Sequence, residues 1–129
     1  MTVSKKMIEL EKILTQKGHE ITLPEFTYDY AKMGSITTIH TESVKNKKKY
    51  GLIKNYFDKI KKHDAILVVN EERKGIKNYI GGNTFLEIGF AYILEKKIFI
   101  YNSLPNLDLS EEIESMQPII LNQNLDLIN

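Results

Sequence analysis

The residues best suited by type and spacing to do chemistry lie in Asn78-Tyr79-Ile80-Gly81-Gly82-Asn83-Thr84-Phe85-Leu86-Glu87-Ile88-Gly89. The adjacent glycines, Gly81 and Gly82, let a backbone come close to a ligand. Phe85, Ile88, Ala91 and Tyr92 then recur at helical spacing and predict a helix over 84–95. The free N–H groups at the start of such a helix attract anions or polar substrate groups. Glu87 is expected in its first turn, where the helix dipole favours the ionised carboxylate. A carboxylate held ionised beside a cleft is a candidate nucleophile for sugar chemistry. On spacing alone a purely local role is the stronger reading. Thr84-Phe85-Leu86-Glu87 fits the Ser/Thr-x-x-Glu capping box, in which the glutamate does no more than satisfy a backbone N–H. Neither the dinucleotide-binding Gly-x-Gly-x-x-Gly nor the P-loop pattern occurs.

These residues need elements to hold them. Residues 65–69, Ala-Ile-Leu-Val-Val, form an unbroken apolar run that predicts a strand buried on both faces, and 97–101 predict a second. Between them run a polar loop over 71–82 and the helix that carries Glu87. Further helices are expected over 4–17, stopped by Gly18, and over 43–62, with Ile53, Tyr56, Phe57 and Ile60 on one face. Residues 20–23 alternate like a short strand ended by Pro24, 110–116 read as a short helix capped by Ser110, and 119–121 as a last strand. The stretch 25–46 reads as a long loop, in which Phe26, Tyr28 and Tyr30 either close over a pocket or anchor the loop. The tail over 122–129 is polar and is expected to be loose. Alternating helices and strands predict an α/β fold, a flavodoxin-like three-layer α/β/α sandwich with a mainly parallel sheet of four or five strands. In such sheets ligands bind beyond the C-terminal strand ends. That rule singles out Asn70 and the loop after it, Asn102-Ser103, and Pro24-Glu25.

Composition narrows the function. The chain has 129 residues, enough for one domain, with 42% hydrophobic and 27% charged residues. Eighteen Lys and Arg against 17 Asp and Glu leave a net charge of +1, which gives no support to a nucleic-acid partner. The lysines between Lys45 and Lys62 are read as a solvated helix face. The absence of cysteine excludes a disulfide scaffold, a thiolate metal site and a cysteine nucleophile. His19, His40 and His63 are too scattered for a sequence-local metal site, so no metal or redox cofactor is implied. No apolar run approaches the roughly 20 residues of a membrane helix, and the first residues lack a signal-peptide core, so a cytoplasmic protein is the expectation.

The stretch from Asp64 to Tyr101 resembles the nucleoside 2-deoxyribosyltransferase superfamily of N-glycoside transferases and hydrolases. That family has an Asp before a buried strand, a variable loop, a Gly-containing turn into a helix with Glu, Gly and Ala, and a Lys-rich turn into the next strand. The matching residues are Asp64, Gly82, Thr84, Glu87, Gly89, Ala91 and Lys97. The Gly-Gly-Asn-Thr-x-x-Glu-Ile-Gly block is the distinctive part. A weaker match from Lys5 to Glu25 extends the resemblance over most of the chain. It implies that Glu87 attacks the anomeric carbon of a nucleoside, the base leaves, and the sugar passes to another base or to water. It also implies a homodimer or larger assembly. On this reading Gly81, Gly82 and Asn83 present backbone and amide groups to the substrate, and Asn70 and Tyr79 contact the base or sugar.

The sequence departs from the family in two places. Family transferases carry acidic residues after the strand and in the loop before the helix, where this chain has Asn70, Asn78 and Asn83. An amide hydrogen-bonds a base but is no general acid near neutral pH. The family's first strand and Gly-Ser turn precede its first helix, and the chain starts at about that helix. The expectation is that Met1 is an internal methionine of a longer frame, or that the sheet is reorganised or completed by a partner. Two alternatives stand beside the enzyme: a non-catalytic nucleotide-binding or sensing module of the same fold, and a structural or assembly protein in which Glu87 is a plain cap.

Overall fold

The computed structural model describes residues 3–24 and 51–129. The expected long loop over 25–46, with Phe26, Tyr28, Tyr30 and His40, and residues 43–50 of the expected lysine-rich helix lie outside the described residues. Gly51, inside that expected helix, is not helical (φ 57°), so the helix begins at Leu52. Two compact units divide the chain, Met1–Ile53 and Lys54–Asn129.

In the first unit, helix α1 spans Val3–Gln16 and buries Leu10 and Leu14. The spacing of these two residues puts them on one face, one turn apart. The helix ends as its sequence predicts. Gly18 adopts φ +96°, its N–H donates to Thr15 O (3.0 Å), and the His19 N–H donates to Leu14 O (3.1 Å). This paired closure uses the left-handed residue to satisfy carbonyls that the last turn leaves open. Residues 20–23, expected as a strand, have no regular secondary structure. Four alternating residues before a proline carry too little information to specify a strand without a partner in register.

The second unit contains the sheet. Helix α2 (Leu52–Lys61) leads into β1 (Ala65–Val68), α3 (Gly82–Ile93), β2 (Lys97–Ile100), α4 (Leu109–Ser115) and β3 (Ile119–Ile120). Among the described residues the sheet has three strands in the order β1-β2-β3, and both pairings are parallel. The chain is therefore α/β, with helices packed on a small parallel sheet, consistent with a flavodoxin-like fold. Strand order follows chain order, so right-handed crossovers put α3 and α4 on the same face. Accordingly α3 packs on β1 and β2 and touches α4.

Register explains the core. Ile66 pairs with Ile98 and Val68 with Ile100, and Ile100 pairs with Ile120. The period of two sends these side chains to one face. There Val68, Ile98 and Ile100 meet Ile88 and Ala91 of α3, Ile113 of α4, and Ile60 and Ile80. Phe57 of α2 meets Phe90 of α3 edge to face, with ring centroids 5.2 Å apart. On β2 the other parity is buried too, with Phe99 and the following Tyr101 both inaccessible. That accounts for the uninterrupted apolar run in its sequence.

The helix ends repeat one device. Glu95 adopts φ 60°, its N–H donates to Tyr92 O (3.1 Å), and the Lys96 N–H donates to Ala91 O (2.8 Å), closing α3. At the end of α4, Gln117 has φ 56° and Pro118 follows. Ser110 does not cap α4. Its hydroxyl donates to Pro105 O (2.7 Å), and Asp108 holds the N-cap position. The tail is also more ordered than its composition suggests. A short 3-10 turn spans Leu125–Leu127, and Asn124 Oδ1 accepts from the Asp126 N–H at 3.1 Å.

Ile88 is 0% exposed and sits where helix and sheet meet, whereas Ile93 on the same helix is 76% exposed. We expect Ile88→Ala to destabilise the fold by about 2–5 kcal/mol and Ile93→Ser by less than about 0.5 kcal/mol in urea unfolding.

Candidate functional site

The top of the sheet, beyond the C-terminal strand ends, is held by a pair of asparagines. β1 and β2 pair with a constant offset, Ala65 with Lys97 through Val68 with Ile100. The same offset sets Asn70 opposite Asn102, just where the strands end. Their side chains continue the ladder. The Asn102 N–H donates to Asn70 Oδ1 (2.8 Å) and Asn102 Nδ2 donates to Asn70 O (2.9 Å). Asn70 Nδ2 in turn donates to Asn102 O (3.2 Å) and Ser103 O (2.9 Å). Asn70 is 1% exposed and Asn102 9%, and buried amides of this kind must find partners. The network reaches outward through Asn102 Nδ2 to Glu71 Oε2 (3.2 Å) and from Gln123 Nε2 to Asn102 Oδ1 (2.8 Å). Both hydrogens and the oxygen of the Asn70 amide are thus engaged within the protein.

The loop after β1 is folded back on itself. Arg73 and Ile76 exchange both backbone hydrogen bonds, at 3.1 and 2.9 Å, across Lys74 (φ 56°) and Gly75 (φ 76°). Two consecutive positive φ values mark the tight hairpin turn whose twist suits antiparallel strands. The Tyr79 N–H returns to Glu71 O at 3.2 Å and closes the loop. Lys74 Nζ lies 5.6 Å from the centroid of the Tyr79 ring. The same ring fills the space beside Gly81, where a Cβ would meet Tyr79 Cε2 at 3.2 Å. A side chain at Gly81 would therefore press the tyrosine ring back by a few tenths of an ångström, while Gly82 faces open space.

Helix α3 starts earlier than its apolar pattern predicts. Gly81 is the N-cap, with extended backbone (φ −89°, ψ 178°) and no side-chain capping bond, and Gly82 is the first helical residue. The first backbone bond runs from the Phe85 N–H to Gly81 O at 2.9 Å. Thr84 is consequently inside the helix and cannot head a capping box. Glu87 stands in the second turn rather than the first, half-buried, one residue before the fully buried Ile88. The periodicity of Phe85, Ile88 and Ala91 marks where the helix touches the core, which is why it misses the polar first turn.

Three loops bound a groove of about 440 Å³ above the strand ends. Glu71, Glu72, Lys77 and Asn78 come from the loop after β1, Asn102 and Ser103 follow β2, and Asn122 and Gln123 follow β3. Asn78 Nδ2 donates to Ser103 Oγ at 3.1 Å. The third loop is a tight turn with Asn122 at φ 48° and Gln123 at φ 66°, tied back by the Gln123 N–H to Tyr101 O at 2.8 Å. The nominated residues fall in three places. Glu87, Gly82 and Asn83 sit on the first turns of α3, Tyr79 and Gly81 pack together just before it, and Asn70 lies beneath the groove. Sequence reasoning named Asn102 only as a post-strand position and passed over Gln123. The legible signal was that both apolar strand runs end in asparagine. Among the described residues no cluster of three or more His, Asp or Glu could hold a metal ion, and no helix is long and apolar enough to cross a membrane. The chain matches no protein-family model, no curated protein and no solved structure.

Two outcomes follow from this geometry. Asn70→Asp sets a carboxylate against the Asn102 and Ser103 carbonyls, so its folded-state pKa rises above the ordinary value of about 3.9. The variant should lose about 2–4 kcal/mol relative to the parent at pH 7. Because the neutral acid is the form the fold tolerates, the loss should shrink as pH falls toward about 4, in unfolding curves of both proteins at each pH. Thr84→Ala should cost less than about 0.5 kcal/mol, against the loss of about 1 kcal/mol that a capping role would produce.

Proposed function

We propose that the protein is an N-glycosidic bond enzyme, a deoxyribosyltransferase-like enzyme or a nucleoside or nucleotide N-glycoside hydrolase, with Glu87 as its nucleophile. The observation that carries this reading is the start of α3 at Gly82, with Gly81 as N-cap. It removes the local explanation of Glu87 as the acid of a Thr84 capping box. Glu87 is a half-buried carboxylate on the second turn of α3, in the block that carries the resemblance.

In the proposed reaction a Glu87 oxygen attacks the anomeric carbon. The C–N bond breaks, and its electron pair leaves with the base, which takes up a proton. An acceptor base or water then attacks the same carbon and releases the carboxylate. Dividing one difficult displacement into two easier ones is what a covalent nucleophile contributes. In this proposal Gly82 and Asn83 offer backbone and amide hydrogen bonds, and Tyr79 contacts the sugar or base. A nucleoside or nucleotide partner, a homo-oligomer and a cytoplasmic setting belong to the same proposal.

One observation favours a second reading, a nucleotide-binding module without turnover. The position after β1 holds an amide, and the hydrogen bonds of Asn70 are used to join β1 to β2, so no acid is available there to protonate a leaving base.

The test is incubation with a panel of nucleosides and nucleoside 5′-monophosphates, with and without an acceptor base, followed by mass spectrometry. The enzyme reading predicts free base and a glycosyl adduct on the Glu87 peptide, both lost in a folded Glu87→Gln variant. Binding without turnover in either form would support the module. Neither release, adduct nor binding from folded protein would sink both.

A further inference from the structure

The groove above the strand ends shares no lining residue with the glycosidic proposal. Neither Glu87, Tyr79, Gly81, Gly82 nor Asn83 contributes to it. We propose that this groove is a separate binding site for a neutral, hydroxyl-rich small molecule of the size of a sugar or cyclic polyol.

Size and place come first. A volume of about 440 Å³ lies within the roughly 300–1,000 Å³ of small-molecule sites. The groove also occupies the end of a parallel sheet at which ligands bind. Chemistry narrows the class. Every lining residue is polar or charged, so no apolar wall invites a stacked ring or an aliphatic ligand. The floor is rigid, because Asn102 spends its amide on Asn70 O, Glu71 and Gln123. The rim is not spent. Glu71 has one oxygen held by Asn102 and one left over. Asn78 and Gln123 each donate from nitrogen and keep an amide oxygen. Glu72 and Lys77 have no partner among the described residues. The rim therefore offers acceptors on the carboxylates and amide oxygens, and donors on Lys77, the Ser103 hydroxyl and the remaining N–H of each amide, so a ligand must bring both hydrogens and lone pairs. A hydroxyl group serves both, as donor to Glu71 or Asn78 and acceptor from Lys77. A phosphate or carboxylate ligand meets two glutamates against one lysine and is disfavoured. A polyamine is attracted by the two glutamates but brings no acceptor for Lys77 and the amide donors.

The measurement is a ¹H–¹⁵N NMR titration of the full chain with D-glucose, D-ribose and myo-inositol, beside ribose 5-phosphate and spermidine. The proposal predicts saturable shifts of groove amides, among them Glu71, Asn78, Asn102 and Gln123, for at least one neutral compound. Glu71→Gln and Asn78→Ala should each weaken that binding about tenfold while retaining the parent spectrum elsewhere. Asn78 lies on the rim, so its variant serves if Glu71→Gln disturbs the floor. Shifts that stay linear with every neutral compound would overturn the proposal. So would saturation by ribose 5-phosphate or spermidine alone, or binding indifferent to both substitutions.

Discussion

The organisation of the sheet's upper edge follows from one requirement. Where parallel strands end and diverge, their last backbone groups lose the neighbours that satisfied them, and a buried group without a partner is costly. Here the amides of Asn70 and Asn102 take over. Each side chain bonds the other residue's backbone, so the ladder continues by side chain after it has ended by main chain. Three loops leave from this junction in defined directions. Were the two amides replaced by apolar residues, β1 and β2 would still pair, but the side-chain bonds that tie the first two loops together at the strand ends would be lost.

This requirement bears on the amide after β1. An asparagine there reads from sequence as a catalytic acid lost. In the structure its nitrogen donates to two carbonyl oxygens, a task that an ionised carboxylate cannot perform. The residue is chemically specified by the fold, whatever the ligand. Gly81 is a similar case. A glycine beside a predicted helix suggests a backbone opened for a substrate, and the space is taken by the ring of Tyr79. For Glu87 the structure rules out one local role, since a helix that starts at Gly82 puts Thr84 inside it and leaves no Thr84 capping box.

The sequence was most legible where burial enforces a period. The apolar runs before Asn70 and Asn102 announced two parallel strands, and Gly18 announced the end of α1 with its left-handed closure. Of the strands, β2 is buried after Lys97, whereas β1, expected to be buried on both faces, is fully buried only at Val68. It was least legible where polar residues are tied by tertiary partners. The start of α3, the ordered tail around Asn124 and the Gln123–Asn102 bond leave no hydrophobic trace. The expected strand over 20–23 failed for the converse reason, because alternation over so few residues arises easily in a segment with no ladder. The candidate site divides along the same line. Its helix could be read from Phe85, Ile88 and Ala91, whereas the groove over the strand ends needed the register that brings Asn102, Asn122 and Gln123 beside the first loop.

β3 is only two residues long, Ile119–Ile120, and among the described residues it pairs with β2 alone. Its chain turns away at once through the left-handed pair Asn122 and Gln123. A strand edge is a template on which other chains can add, and long flat edges invite aggregation. Here the template ends almost where it begins. The turn that helps to shape a groove on one side thereby also shortens, on the other, the stretch of backbone that a stray strand could copy.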